Sequence, residues 1–175
     1  MAKTDSVRDE WRATIEAAPG RGSASGVSPV ETIRSMSGLE FLRAIAAGQL
    51  PHPPISDALN FYLIEVSKGH AVFMGEAKHD FYNPIGSVHG GWACTLLDSC
   101  MGCAGQTTLP AGQGYTTVEL KVNLVRPLSS ATGPVRAEGR VISAGRTIVT
   151  AEGRIVGADG KLYAHGTTTC LVLGL

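Results

Sequence analysis

The chain has little that marks a membrane, secreted or nucleic-acid protein. Its 15 Lys and Arg balance its 15 Asp and Glu, so the formal net charge is zero, and a neutral chain carries no basic footprint for nucleic acid. No apolar run approaches the roughly 20 residues that a membrane helix needs. The opening stretch, MAKTDSVRDEWRATIEAA, is charged and lacks the apolar region of a signal peptide. The expectation is a cytoplasmic protein with neither nucleic-acid nor membrane partners. There are only four cysteines, and three of them fall between 94 and 103. Cys100-x-x-Cys103 has redox or metal spacing, but no second Cys/His pair at zinc spacing accompanies it. It also sits mid-helix, away from the helix N-terminal field that lowers a thiol pKa. The pair reads as packing, and no metal or cofactor is expected. Gly112-Gln113-Gly114 lacks the strand–helix context of a phosphate loop. No Gly-x-Ser-x-Gly elbow supports a serine hydrolase, and no internal repeat is evident.

What is present centres on Asn83 to Gly105, NPIGSVHGGWACTLLDSCMGCAG. A polar loop leads through Gly90 and Gly91 into a helix, leaving the first helical N–H groups uncovered. Ala93, Leu96, Leu97, Cys100, Met101 and Ala104 then follow helical spacing. Asp98 points away from that stripe and shares its face with Gly91, Cys94, Thr95, Gly102 and Gly105, all small. A carboxylate on such a face lies where a backbone or ligand approaches closely, whereas a surface helix more often carries long charged side chains there.

A length of 175 residues suits one domain with a proper core. Residues 5–18 predict a short amphipathic helix, and Pro19 to Pro29 a mobile Gly/Ser/Pro linker. Ser28-Pro29-Val30-Glu31 and Ser37-Gly38-Leu39-Glu40 read as capping boxes, the second opening a helix that Gly48 ends. From Ser56 the composition shifts. Two strands turn at Lys68-Gly69, the long helix follows, and strands are then expected at 116–128, 135–143, 146–156 and 162–173. Asp159-Gly160 is the strongest hairpin signal. The simplest packing is α+β, one antiparallel sheet wrapped around the single long helix. The N-terminal helical extension and linker would occupy 1–55 and the main domain 56–175.

The set Asn83, Gly86, His89, Gly90, Gly91 and Asp98 resembles the signature of hotdog-fold acyl-CoA thioesterases of the phenylacetate-degradation (PaaI-like) type, within the 4-hydroxybenzoyl-CoA thioesterase superfamily. The resemblance runs from about Ser56 to the C-terminus. It implies the hotdog fold, an acyl-CoA substrate, and active sites at a homodimer interface, often in a dimer of dimers (a homotetramer). In such proteins a Ser or Thr early in the next strand helps position water; Thr117 is the matching position, with Thr116 the near alternative. His89 would orient the loop or assist the thiolate, or simply make a structural hydrogen bond.

The chemistry of thioester hydrolysis fits these residue types. Negative charge develops on the carbonyl oxygen, which needs donors, and the carbonyl carbon needs a base or nucleophile nearby. The helix start at Gly90 and Gly91 offers backbone N–H groups, and Asn83 a side-chain donor. Asp98 would act as base on water or attack directly to give a mixed anhydride. Gly90 and Asp98 are eight residues apart, about 12 Å along one helix. One carbonyl must lie about 3 Å from both kinds of group. They must therefore come from two copies of the chain, as in a two-fold dimer. Arg126 and Arg146 are candidates for the phosphates of coenzyme A, and Phe81, Tyr82, Trp92 and the 39–55 segment for the acyl pocket. Two other readings are a non-catalytic acyl-CoA-binding module and an enoyl-thioester hydratase or dehydratase.

Overall fold

The order of elements follows the hydrophobic pattern closely. The structure is a computed structural model and describes residues 2–175. Helix α1 (Ala2–Ala17) opens the chain, followed by a single turn, α2 (Pro19–Gly22), and by α3 (Val30–Ser35), α4 (Gly38–Ala46) and α5 (Pro54–Leu59). Strands β1 (Phe61–Ser67) and β2 (His70–Glu76) form the first hairpin. Helix α6 (Gly90–Gln106) is next, then β3 (Gln113–Leu124), β4 (Pro134–Ala144), β5 (Ile148–Gly157) and β6 (Leu162–Gly174). All six strands join one antiparallel sheet in the order β1-β2-β4-β5-β6-β3. No helix among the described residues is long and apolar enough to cross a membrane.

The sheet curls around α6. Ala93, Leu96, Leu97, Cys100, Met101 and Ala104, the expected stripe, are each at most 1% exposed. They meet Phe61, Ala71, Val135, Ala137, Ala151, Ile155 and Ala164 from five strands. A close approach is at Gly139 in β4, where an added Cβ would lie 2.2 Å from the Cys100 carbonyl oxygen. The helix backbone therefore rests directly on the sheet. This is the hotdog arrangement.

The first fifty residues pack onto that body. Trp11 and Ile15 of α1 lie against Tyr62, Val72 and Met74 on the other side of the sheet, while Leu42 and Ile45 of α4 join the main core. The Ser37–Glu40 capping box forms with both reciprocal bonds. The one expected at Ser28 does not. Pro29, not Ser28, takes the N-cap, so the serine is one residue out of register and its Oγ is buried without a partner among the described residues. The stretch 19–29, read as a mobile linker, is pinned instead. Gly26 N–H donates to the His52 carbonyl, and His52 N–H to that of Ala24. The buried His52 ring stands 3.1 Å from Ser23 Oγ and 2.9 Å from Asp57 Oδ2, and Tyr62 donates to Asp57 Oδ1. The His52 bond is the main reason the Asp57 carboxyl lies below its ordinary range. The boundary expected between 55 and 56 falls inside α5.

β3 is shifted from its expected span. It begins at Gln113 because its register with β6 starts there, opposite Gly174. It ends at Leu124 because the next two N–H groups, of Val125 and Arg126, both turn to the Tyr163 carbonyl before Pro127.

Candidate active site

Helix α6 places two groups of residues about 12 Å apart. At its start, a loop closed by short-range bonds sets the approach. Asn83 Oδ1 accepts from the N–H groups of Ile85 and Ser87, and Asn83 Nδ2 donates to Ser87 Oγ at 3.0 Å. The carboxamide predicted as an oxyanion donor thus already shapes its own loop, an Asx turn, with one amide hydrogen beyond the Ser87 bond. Gly86 holds φ +86°, a left-handed conformation that favours glycine.

His89 is the N-cap residue of α6. Its Nδ1 accepts from Gly91 N–H at 2.9 Å. A side chain at 91 would stand 2.9 Å from that same nitrogen, so the second glycine of the pair makes room for the ring that caps it. Of the two N–H groups expected at the helix start, that of Gly91 is therefore engaged. That of Gly90 opens beside a cleft of about 240 Å³ lined by Asn83, His89, Ala93, Leu124, Arg126 and Tyr163, among others. Arg126, whose Nη1 donates to the Leu162 carbonyl, puts a cation at this mouth. Leu124 Cδ1 lies where a Cβ on Gly90 would be, 2.6 Å away, and so lids the helix start. A second cleft of about 290 Å³ also borders His89 and Gly91 and is walled by Leu59, Phe81, Tyr82, Trp92 and Thr95. Phe81 stacks on Trp92, whose Nε1 is anchored to the Leu59 carbonyl. The three aromatics named for the acyl pocket thus share one wall.

Two turns along the helix, Thr117 Oγ1 donates to Asp98 Oδ1 at 2.9 Å. Thr117 and Thr116 are neighbours in β3, but only Thr117 faces the helix; Thr116 is exposed. Asp98 is half-buried. The small-residue face around it is partly filled: Tyr115 of β3 lies over Gly102, and Val149 of β5 over Gly105. Tyr115 was not singled out in the sequence, because an aromatic in a strand reads first as packing. Arg146 sits exposed just before β5. Because Cys170 of β6 pairs with both Thr117 and Val149, the Arg146 turn belongs to the Asp98 end of the sheet. Burial pushes the Cys100 and Cys103 thiols up, Cys103 to about 12, so neither is a ready thiolate.

A six-stranded antiparallel sheet around one long helix, with a hydroxyl-clamped carboxylate mid-helix and a glycine pair at the helix start, defines a hotdog-fold protein of the thioester-hydrolase class. The chain belongs to the thioesterase superfamily, whose sequence model matches residues 85–164. The putative esterase SSO2140 of Saccharolobus solfataricus is 33% identical over 115 residues, 66% of this chain and 80% of that protein. Among solved structures, a putative thioesterase of Ralstonia eutropha JMP134, described as phenylacetic acid degradation-related, superposes with a TM-score of 0.67. It has 28% identity and covers 77% of this chain and 98% of its own. Protein smu.793 of Streptococcus mutans UA159, solved bound to acetyl CoA, gives a TM-score of 0.60 at 26% identity, covering 66% of this chain and 90% of its own.

Proposed function

We propose that this protein hydrolyses an acyl-CoA thioester to the free acid and coenzyme A, at sites shared between two copies of the chain. The observation that carries this reading is the Thr117–Asp98 bond in the middle of a helix whose start opens at Gly90 onto a cleft. Asp98 Oδ2, with no partner among the described residues, takes a proton from water. The water oxygen bonds to the thioester carbon as the C–S bond breaks, and the proton passes from Asp98 to the departing sulfur. Gly90 N–H of the second copy, backed by the helix dipole, holds the carbonyl oxygen as charge gathers there. The acetyl CoA in the Streptococcus mutans relative supports the choice of thioester.

The assembly follows from the same distance argument. β3 is an edge strand, and Val118 and Leu124 along it, with Val125 just beyond, are exposed apolar residues. A long apolar edge calls for cover. A two-fold dimer across β3 covers it and brings the helix start of one copy toward the carboxylate of the other; two such dimers would pair in a tetramer. Arg126 of one copy and Arg146 of the other then flank each site for the phosphates of coenzyme A. Phe81, Tyr82 and Trp92 receive the acyl group. Four free cysteines fit a reducing, cytoplasmic setting.

The test is release of free thiol from a panel of aromatic and aliphatic acyl-CoAs. Asp98→Asn is expected to lower kcat about 10²–10⁴-fold, as for a lost acid/base group, with the fold retained. Equal rates for the two proteins would remove Asp98 from the chemistry, and binding without turnover by wild type would favour a ligand-binding module.

A further inference from the structure

Helix α6 has no side chain one turn beyond Asp98, because residue 102 is glycine. That space is occupied from across the interface with β3. A Cβ on Gly102 would lie 2.3 Å from the Tyr115 phenol oxygen and 2.8 Å from ring carbons Cε2 and Cζ. Residues four apart on a helix have Cβ atoms roughly 5–6 Å apart, so the phenol oxygen, in the space a side chain at 102 would fill, faces the helix one turn from Asp98. Tyr115 is two residues before Thr117 in β3, on the same face of the strand. Thr117 already clamps Oδ1 of that carboxylate at 2.9 Å. The ring is held by Leu109, Val149 and Cys170, yet the phenol oxygen bonds no other group among the described residues. Burial pushes the Tyr115 hydroxyl well above its ordinary pKa, with the Asp98 charge among the lesser causes, so it stays protonated.

We propose that Tyr115 is a positioning residue for the attacking water, which bridges its phenol oxygen and Asp98 Oδ2. This rests on the hydrolase reading above. A water joins two such oxygens through two O–H···O bonds of about 2.7–2.8 Å each. The water gives one hydrogen to Asp98 and directs the other to the phenol oxygen, so a lone pair faces the thioester carbon. The substrate bonds that form and break are unchanged. Without the phenol, the water keeps one anchor and samples unproductive orientations. The glycine at 102 and the tyrosine at 115 are thus one device: the first clears the space that the second fills with a hydroxyl.

The decisive variant is Tyr115→Phe, which keeps the ring over Gly102 and removes only the oxygen. We expect kcat to fall about tenfold to a hundredfold, with KM for the acyl-CoA and the melting temperature little changed. In an Asp98→Asn background the same substitution should cause no further loss, since the phenol acts through the water that Asp98 activates. A purely structural tyrosine would instead shift stability or KM, or lower the rate by the same factor in both backgrounds, and either result overturns the assignment. Wild-type kcat in Tyr115→Phe, with Asp98→Asn still strongly impaired, overturns the Tyr115 role and leaves the hydrolase reading standing. Absence of thiol release by wild type across the whole panel overturns both.

Discussion

Thr117 holds Asp98 through a single hydroxyl, so removing it isolates what that bond does. A hydrogen bond to a charged group contributes about 1.5–3 kcal/mol, and its loss frees the carboxylate to leave the orientation the reaction needs. Thr117→Val, close in shape, is expected to lower kcat about tenfold to a hundredfold while KM holds. Steady-state kinetics on the best acyl-CoA of the panel would check it, and an unchanged kcat would reduce Thr117 to an ordinary strand residue. At this scale the sequence was legible wherever a motif fixes spacing. His89, Gly90, Gly91 and Asp98 could be placed on one helix by counting, and Thr117 by the family pattern. What counting does not reveal is which polar groups are already engaged. Asn83 is bound within its own turn and His89 Nδ1 holds Gly91 N–H; both depend on side-chain rotamers. Tyr115 depends on a pairing of strand and helix that no local pattern encodes.

Among the elements, β4 bears most on the rest, through two adjacent residues facing opposite ways. Gly139 faces α6 and leaves no room for a side chain. Gly139→Ala must therefore push the helix off the sheet, at a cost of about 1–3 kcal/mol as for other overpacked cores; thermal or denaturant melts would register it. A variant as stable as wild type would show that the helix yields easily there. Glu138 faces the other way. It ties three strands together, accepting from His70 of β2 at 2.9 Å, from Arg140 of β4, and from Arg154 of β5 at 3.0 Å. Burial alone would push this carboxyl up. The bonds from Arg154, His70 and Arg140 outweigh it and hold the group down, from an ordinary 4.5 to about 2. A depressed carboxylate stabilises the fold above its unfolded pKa and loses that contribution as pH falls through the folded value. The melting temperature of Glu138→Gln should thus lie below that of wild type at neutral pH, and the gap should close between pH 4.5 and about 2. A gap that does not vary with pH would point to packing instead of charge. Strand existence was readable from alternation, whereas strand ends were not. β3 stops at Leu124 because Tyr163, 39 residues further on in sequence, takes the next two N–H groups.

For the whole molecule, the sequence indicated one sheet around one helix and an extension of unassigned role, but not how the extension is held. The Ser23–His52–Asp57–Tyr62 chain that fastens it ties Ser23 to His52, 29 residues on, and through it to Asp57 and Tyr62; the long link is the one pattern reading does not show. The composite site proposed above rests on arithmetic instead: eight residues of helix are too long for one aspartate to bridge. That argument has a strict consequence for mixed assemblies. Asp98→Asn leaves the helix start intact. Gly90→Val leaves the carboxylate intact but fills the approach to the Gly90 N–H, where even a Cβ meets Leu124 at 2.6 Å. Each homodimer carries one defect in both of its sites and should be nearly inactive. A heterodimer of the two, isolated through different affinity tags after co-expression, gathers both defects in one site and leaves the other complete, so it should recover about half of the wild-type rate per dimer. If each site were built within a single chain, both sites of the heterodimer would be defective and the rate would stay at the level of the parents. Recovery therefore separates a shared site from a private one without any knowledge of the acyl group.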